Sequence, residues 1–195
     1  MERERRRQAA IAGHVGDEAT ARALLDDADA AVRATALGAL SRAGALRADD
    51  IRGALADDDA SVRRRACEEA VPLAEVDLVP LLSDTDTSVV EAAAWALGER
   101  GLDAASAVEA LIGVVRQHDD ALCREGAVAA LGAIGDRRGL DAVLAAASGD
   151  RPAVRRRAVV ALAAFDGPDV DAALRAALED RDWQVRQAAE DLLSD

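Results

Sequence analysis

The polar and apolar positions of this chain recur in a fixed order. An acidic stretch leads into Val-Arg, and an alanine follows four residues after the valine. Asp57, Asp58 and Asp59 precede Val62-Arg63 and Ala66 in the clearest copy. The same order appears around Val32-Arg33 with Ala36, Val89-Val90 with Ala93, and Val185-Arg186 with Ala189. Two looser copies place Cys123-Arg124 before Ala127 and Val154-Arg155 before Ala158. The anchors 32, 62, 89, 123, 154 and 185 are separated by 30, 27, 34, 31 and 31 residues, a period that marks stacked repeats. With each anchor counted as zero, positions 0, +4 and +8 share one face of a helix. All eighteen residues at those positions are apolar. Position +5 (Leu37, Cys67, Ala94, Val128, Val159) widens the stripe, and only its last copy, Glu190, is polar, as suits a terminal repeat facing water.

This pattern predicts an all-α chain of six helical hairpins in one domain, 1–195. The repeats fall at about 17–44, 45–72, 73–101, 102–135, 136–167 and 168–195, after a short capping helix over 2–13. Gly13 and Gly16 are expected to break the cap, and Asp17 to start the next helix. The hairpins pair helices 17–25 with 30–43, 48–56 with 60–71, 76–83 with 87–99, 103–116 with 120–134, 138–147 with 152–165, and 168–179 with 182–193. Pro80 is tolerable only in a first turn, so helix 76–83 is expected to be short. Gly44, Gly101, Gly135 and Gly167 close second helices.

Composition supports the helical reading. Hydrophobic residues form 51 % of the chain but aromatics only 2 %, so the core is Ala, Leu and Val, and strand-forming alternation is missing. A net charge of −13 argues against general nucleic-acid or membrane-surface binding, whose footprint is basic. Every basic residue is arginine, and asparagine is missing too; GC-rich coding and salt adaptation are two open explanations. Cys67 and Cys123 lie on the apolar stripe and suit a reducing cytoplasm, with no disulfide or metal spacing. The charged segment Met1 to Arg7 lacks the apolar run of a signal peptide, and the longest apolar run, Ala158 to Phe165, is too short to span a bilayer.

The pattern Asp-x-Asp-x-x-Val-Arg-x-x-Ala-x-x-x-Leu resembles HEAT repeats, in the short HEAT-like form also found in phycobilisome lyases. The resemblance implies a right-handed α-solenoid whose second helices line a concave surface. It also implies a structural ladder of Asp and Arg along the stack. The matching residues are Asp27 with Arg33, Asp57 with Arg63, and Asp180 with Arg186, together with Arg124 and Arg155. His118 and Gly149 replace Asp in the fourth and fifth repeats and Val90 replaces Arg in the third, so Asp119, Asp120 or Asp150 are candidate substitutes. A planar guanidinium is suited to bond a carboxylate and the carbonyls of an adjacent turn together.

Off the stripe, positions +2, +3 and +6 are expected to face a partner. They include Arg64, Arg65, Glu91, Trp95, Glu125, Arg156 and Arg157. Trp95 reads either as an interface anchor or as filler against an adjacent helix. The arginine pairs read either as a site for an acidic peptide, phosphate or carboxylate, or as partners of Glu68, Glu69, Glu91 and Glu125. Trp183 reads as packing against the end of the stack in preference to contacting a partner. No nucleophile stands near His14 or His118, and no Gly-rich phosphate loop or metal-ligand spacing occurs, so no catalytic residue, metal or cofactor is assigned. The reading that results is a non-catalytic scaffold, monomeric and cytoplasmic, that holds a protein or peptide on the concave face. The alternatives implied by the resemblance are a subunit of a tetrapyrrole or bilin lyase-like enzyme and, disfavoured by the charge, a DNA glycosylase.

Overall fold

The computed structural model describes residues 2–194, which form twelve α-helices linked by short turns; no strand occurs among them. They are α1 (Glu2–Val15), α2 (Glu18–Ala23), α3 (Ala30–Arg42), α4 (Ala48–Leu55), α5 (Ala60–Glu69), α6 (Thr87–Glu99), α7 (Val108–Gln117), α8 (Ala121–Ile134), α9 (Leu140–Gly149), α10 (Pro152–Ala161), α11 (Pro168–Ala177) and α12 (Trp183–Leu193). The chain divides into two compact units, one ending at Ala96 and one beginning at Leu97.

The second helices begin where the sequence places them because the two aspartates of Asp-x-Asp do different work. The second is the N-cap. Asp29, Asp59, Asp120 and Asp182 each accept a hydrogen bond from the backbone N–H two residues on, at 2.8 or 2.9 Å. Asp86 does the same for Ser88. Such a cap satisfies one of the orphan donors at a helix start and is worth about 1 kcal/mol. Gly135 ends α8 at φ 68°, a left-handed conformation that a Cβ would strain.

In the first unit α3 packs between α1 and α5, with α2 and α4 behind. In the second unit α8 packs on α7 and α10, and α10 packs in turn on α9 and α12. The apolar stripe is the core of both units. Of its eighteen residues, all but Leu193 are buried. Leu193 is 45 % exposed, since no later helix among the described residues covers it.

Three local readings are corrected. Gly13 does not break α1, which continues to Val15. It is instead a contact point, because a Cβ there would sit 2.6 Å from the Ala39 Cα atom. Gly132 approaches Ala161 in the same way, at 2.9 Å from its Cα. The segment around Pro80 is a 3₁₀ turn, Val79–Ser83, rather than a short α-helix, and the expected helix 103–116 starts with a 3₁₀ stretch, Gly101–Ala107, before α7. Pro80 removes a donor N–H, which favours the tighter turn.

The capping helix α1 lies in the register of a second helix. Its Arg5 forms an ion pair with the Asp27 carboxylate at 3.2 Å, on the rung where Arg33 hydrogen-bonds Asp57 one repeat later. Gly13 meets Ala39 as Gly132 meets Ala161, each glycine eight residues past the helix's arginine.

Candidate functional site

A ladder of arginines and aspartates fixes how successive second helices sit within each unit. Arg33 donates from Nε and Nη2 to the Asp57 carboxylate at 2.8 and 2.6 Å, and from Nη1 to the Asp27 carbonyl at 2.8 Å. Arg63 bonds Asp84 and the Asp57 carbonyl in the same geometry. In the second unit Arg124 bonds Asp150 and the His118 carbonyl, and Arg155 bonds Asp180 and the Asp150 carbonyl. Each of these arginines thus takes a carbonyl from its own turn and a carboxylate from the next repeat. The last ladder arginine, Arg186, keeps the carbonyl half of this arrangement, donating to the Asp180 carbonyl at 2.7 Å.

The carboxylate partners are therefore one repeat further on than a pairing within each repeat implies. Asp150, next to Gly149, fills the fifth position, and His118 fills the fourth by accepting the Asp120 N–H on Nδ1 at 3.1 Å. The guanidinium beside each of Asp57, Asp84, Asp150 and Asp180 holds its carboxyl below the usual 3.8, with burial opposing. Arg155 is 2 % exposed, the most enclosed charge of the ladder. A recess of about 690 Å³ beside the ladder in the first unit has both its arginines already paired, Arg22 with Asp50 and Arg33 with Asp57, and its remaining charges are carboxylates.

Two clefts lie on the second helices, one in each unit. The first, about 500 Å³, is lined by Arg64 and Glu68 of α5 and by Ser88, Glu91, Ala92 and Trp95 of α6. Trp95 is 48 % exposed, so the indole borders the cleft as well as resting on the protein. Arg64 bonds Glu68 at 2.5 Å, and Arg65 reaches Glu68 at 3.2 Å and Glu69 at 2.7 Å. The second cleft, about 400 Å³, is lined by Arg156, Arg157 and Val160 of α10 and by residues of α12 from Trp183 to Asp191. Here both arginines turn to one carboxylate, Glu125 of α8, at 4.0 and 3.5 Å.

The clefts occupy equivalent positions: +2 and +6 of one second helix, and −1, +2, +3 and +6 of the next. Not every off-stripe residue is open, since Gly38 is buried beneath the Arg65 guanidinium and Ala92 is buried as well. Trp183 does not pack away at the end of the stack; it is 65 % exposed and walls the second cleft. The signal for this was present in the sequence, because Trp183 precedes Gln187, a +2 residue, by one helical turn.

Both cysteines are buried, and His14 is exposed near the end of α1. Among the described residues, no group of three or more His, Cys, Asp or Glu side chains is placed to hold a metal ion, and no helix is long and apolar enough to cross a membrane.

Residues 108–194 match the family model for HEAT repeats, and residues 78–99 match the model for the armadillo/beta-catenin-like repeat. No curated protein matches the chain significantly. Among solved structures, an engineered protein is 21 % identical with a TM-score of 0.65, covering 91 % of this chain and 95 % of its own. The complex of CpcE and CpcF of phycocyanin lyase from Nostoc sp. PCC7120 is 24 % identical with a TM-score of 0.63, covering 90 % of this chain and 75 % of that one. A designed armadillo repeat protein in complex with a (KR)4 peptide is 17 % identical with a TM-score of 0.54, covering 98 % and 90 %. With its helices, stripe and ladder, the chain is an all-α helical-repeat protein, of which residues 108–194 match HEAT repeats.

Proposed function

We propose that the chain is a non-catalytic interaction module that holds a protein or peptide on the exposed face of its second helices. Arg64, Arg65, Glu91 and Trp95 would make the contacts in the first unit, and Glu125, Arg156 and Arg157 in the second. The observation that carries this reading is the pair of half-exposed or exposed tryptophans, one in a cleft with Arg64 and the other in a cleft with Arg156 and Arg157. Trp and Arg concentrate binding energy at interfaces, and a chain with 2 % aromatics has few reasons to leave its indoles in water. The (KR)4 complex of the designed armadillo protein supports peptide capture on such a scaffold. The module is read as a monomer working in the cytoplasm without nucleic acid or membrane.

Selection of displayed peptides on the wild-type chain, followed by binding to a Trp95→Ala, Arg156→Glu variant, tests the reading. Selected peptides should bind the variant at least ten-fold more weakly; equal binding removes this face from the proposal. The lyase-like alternative draws on the repeat's resemblance to phycobilisome lyases and on the likeness to CpcE and CpcF, and an unchanged bilin absorbance spectrum on mixing would count against it.

A further inference from the structure

The two clefts differ at a position whose consequence is electrostatic. Position +6 of the first helix is Glu68 in the α5–α6 cleft and Val160 in the α10–α12 cleft. Glu68 lies one turn from Arg64 and Arg65 and bonds both. Val160 stands in the same relation to Arg156 and Arg157 and offers them no carboxylate. Among the described residues, their charge is met by the longer contacts to Glu125. The carboxylate inside the cleft, Asp191, accepts a hydrogen bond from the Gln187 amide at 2.8 Å. One wall of this cleft is thus cationic. The same wall also carries Val160, 47 % exposed, and the facing wall of α12 brings the exposed Trp183 indole together with Gln184, Gln187 and Asp191.

Resting on the proposed peptide-binding role, we infer that the α10–α12 cleft selects an acidic peptide segment in which an apolar side chain is flanked by carboxylates. The carboxylates meet Arg156 and Arg157, which present planar donor forks suited to them. The apolar side chain lies on Val160 and the Trp183 indole. Gln184 supplies an amide toward the peptide backbone. A free inorganic anion would leave the exposed Val160 and Trp183 side chains unused, so the occupant is a polypeptide.

The test uses Trp95→Phe protein, in which Trp183 is the sole remaining indole. Its fluorescence is followed while adding a short acetylated peptide of leucines flanked by glutamates, and separately the peptide with glutamine for each glutamate. Saturable binding of the glutamate peptide is expected, at least ten-fold tighter than the glutamine peptide. Val160→Glu, which copies the first unit's arrangement and keeps both arginines, should weaken it at least ten-fold, as should Arg156→Glu, with unchanged helical circular dichroism. No binding of the glutamate peptide, equal binding of the two peptides, or an unaffected Val160→Glu variant would overturn the inference. If a leucine-arginine peptide then binds through Trp95 in the wild type, the wider peptide-binding role survives; if no peptide binds either cleft, both readings fall.

Discussion

In the unit ending at Ala96, Trp95 shares its cleft with two glutamates and an arginine already bonded to one of them. In the unit beginning at Leu97, Trp183 shares its cleft with two arginines that divide a single distant glutamate. The two units build the same frame, with the stripe at 0, +4 and +8 and the ladder arginine at +1. Their difference lies in positions that neither core packing nor the ladder constrains. A repeat scaffold can therefore hold its backbone geometry constant while exchanging the charge of its exposed face.

The frame should be the costly part to disturb. Arg155→Ala leaves the Asp180 carboxylate without its buried partner and is expected to destabilise the second unit by about 3 kcal/mol or more, read by urea unfolding. Arg63→Ala, at a more exposed rung, should cost less. A larger loss from Arg63→Ala would break the idea that burial sets the cost of losing a rung. Gly132→Val drives a side chain into Ala161 and should cost about 1–3 kcal/mol, as Gly13→Val should against Ala39.

Acid should weaken both units together. Because Asp57, Asp84, Asp150 and Asp180 have folded pKa values below 3.8, their stabilisation is fully present above 3.8 and is lost as pH falls through the depressed values. Melting temperature should thus hold from neutral pH down to about 5 and fall below about 4; a fall near neutral pH would point to other groups. The smallest effect is expected on the exposed face. Arg64→Ala removes a partly exposed pair within one helix and should change stability by no more than about 0.5 kcal/mol.

Much of this was legible from residue order. The period located the six second helices, and the apolar stripe named the buried residues, Leu193 excepted. The ladder residues were named through the resemblance to HEAT repeats, and the N-cap aspartates stand in the same acidic turns. Other features were hidden because they depend on residues far apart in the chain. The carboxylate that meets Arg33 is Asp57, and no local pattern says that the bond crosses to the next repeat. Gly13 reads as a helix breaker until Ala39 is seen against it.

Helix periodicity is a local property, set by hydrogen bonds four residues apart and by which face avoids water, so the sequence alone determined the helices, their buried stripe and the all-α repeat architecture. Which repeat supplies each ladder carboxylate, that Trp183 stands open in the cleft that Val160 also lines, and that Arg156 and Arg157 share Glu125 were decided only by the tertiary structure. Those outcomes depend on distances between side chains of different helices, which packing sets and local residue order does not.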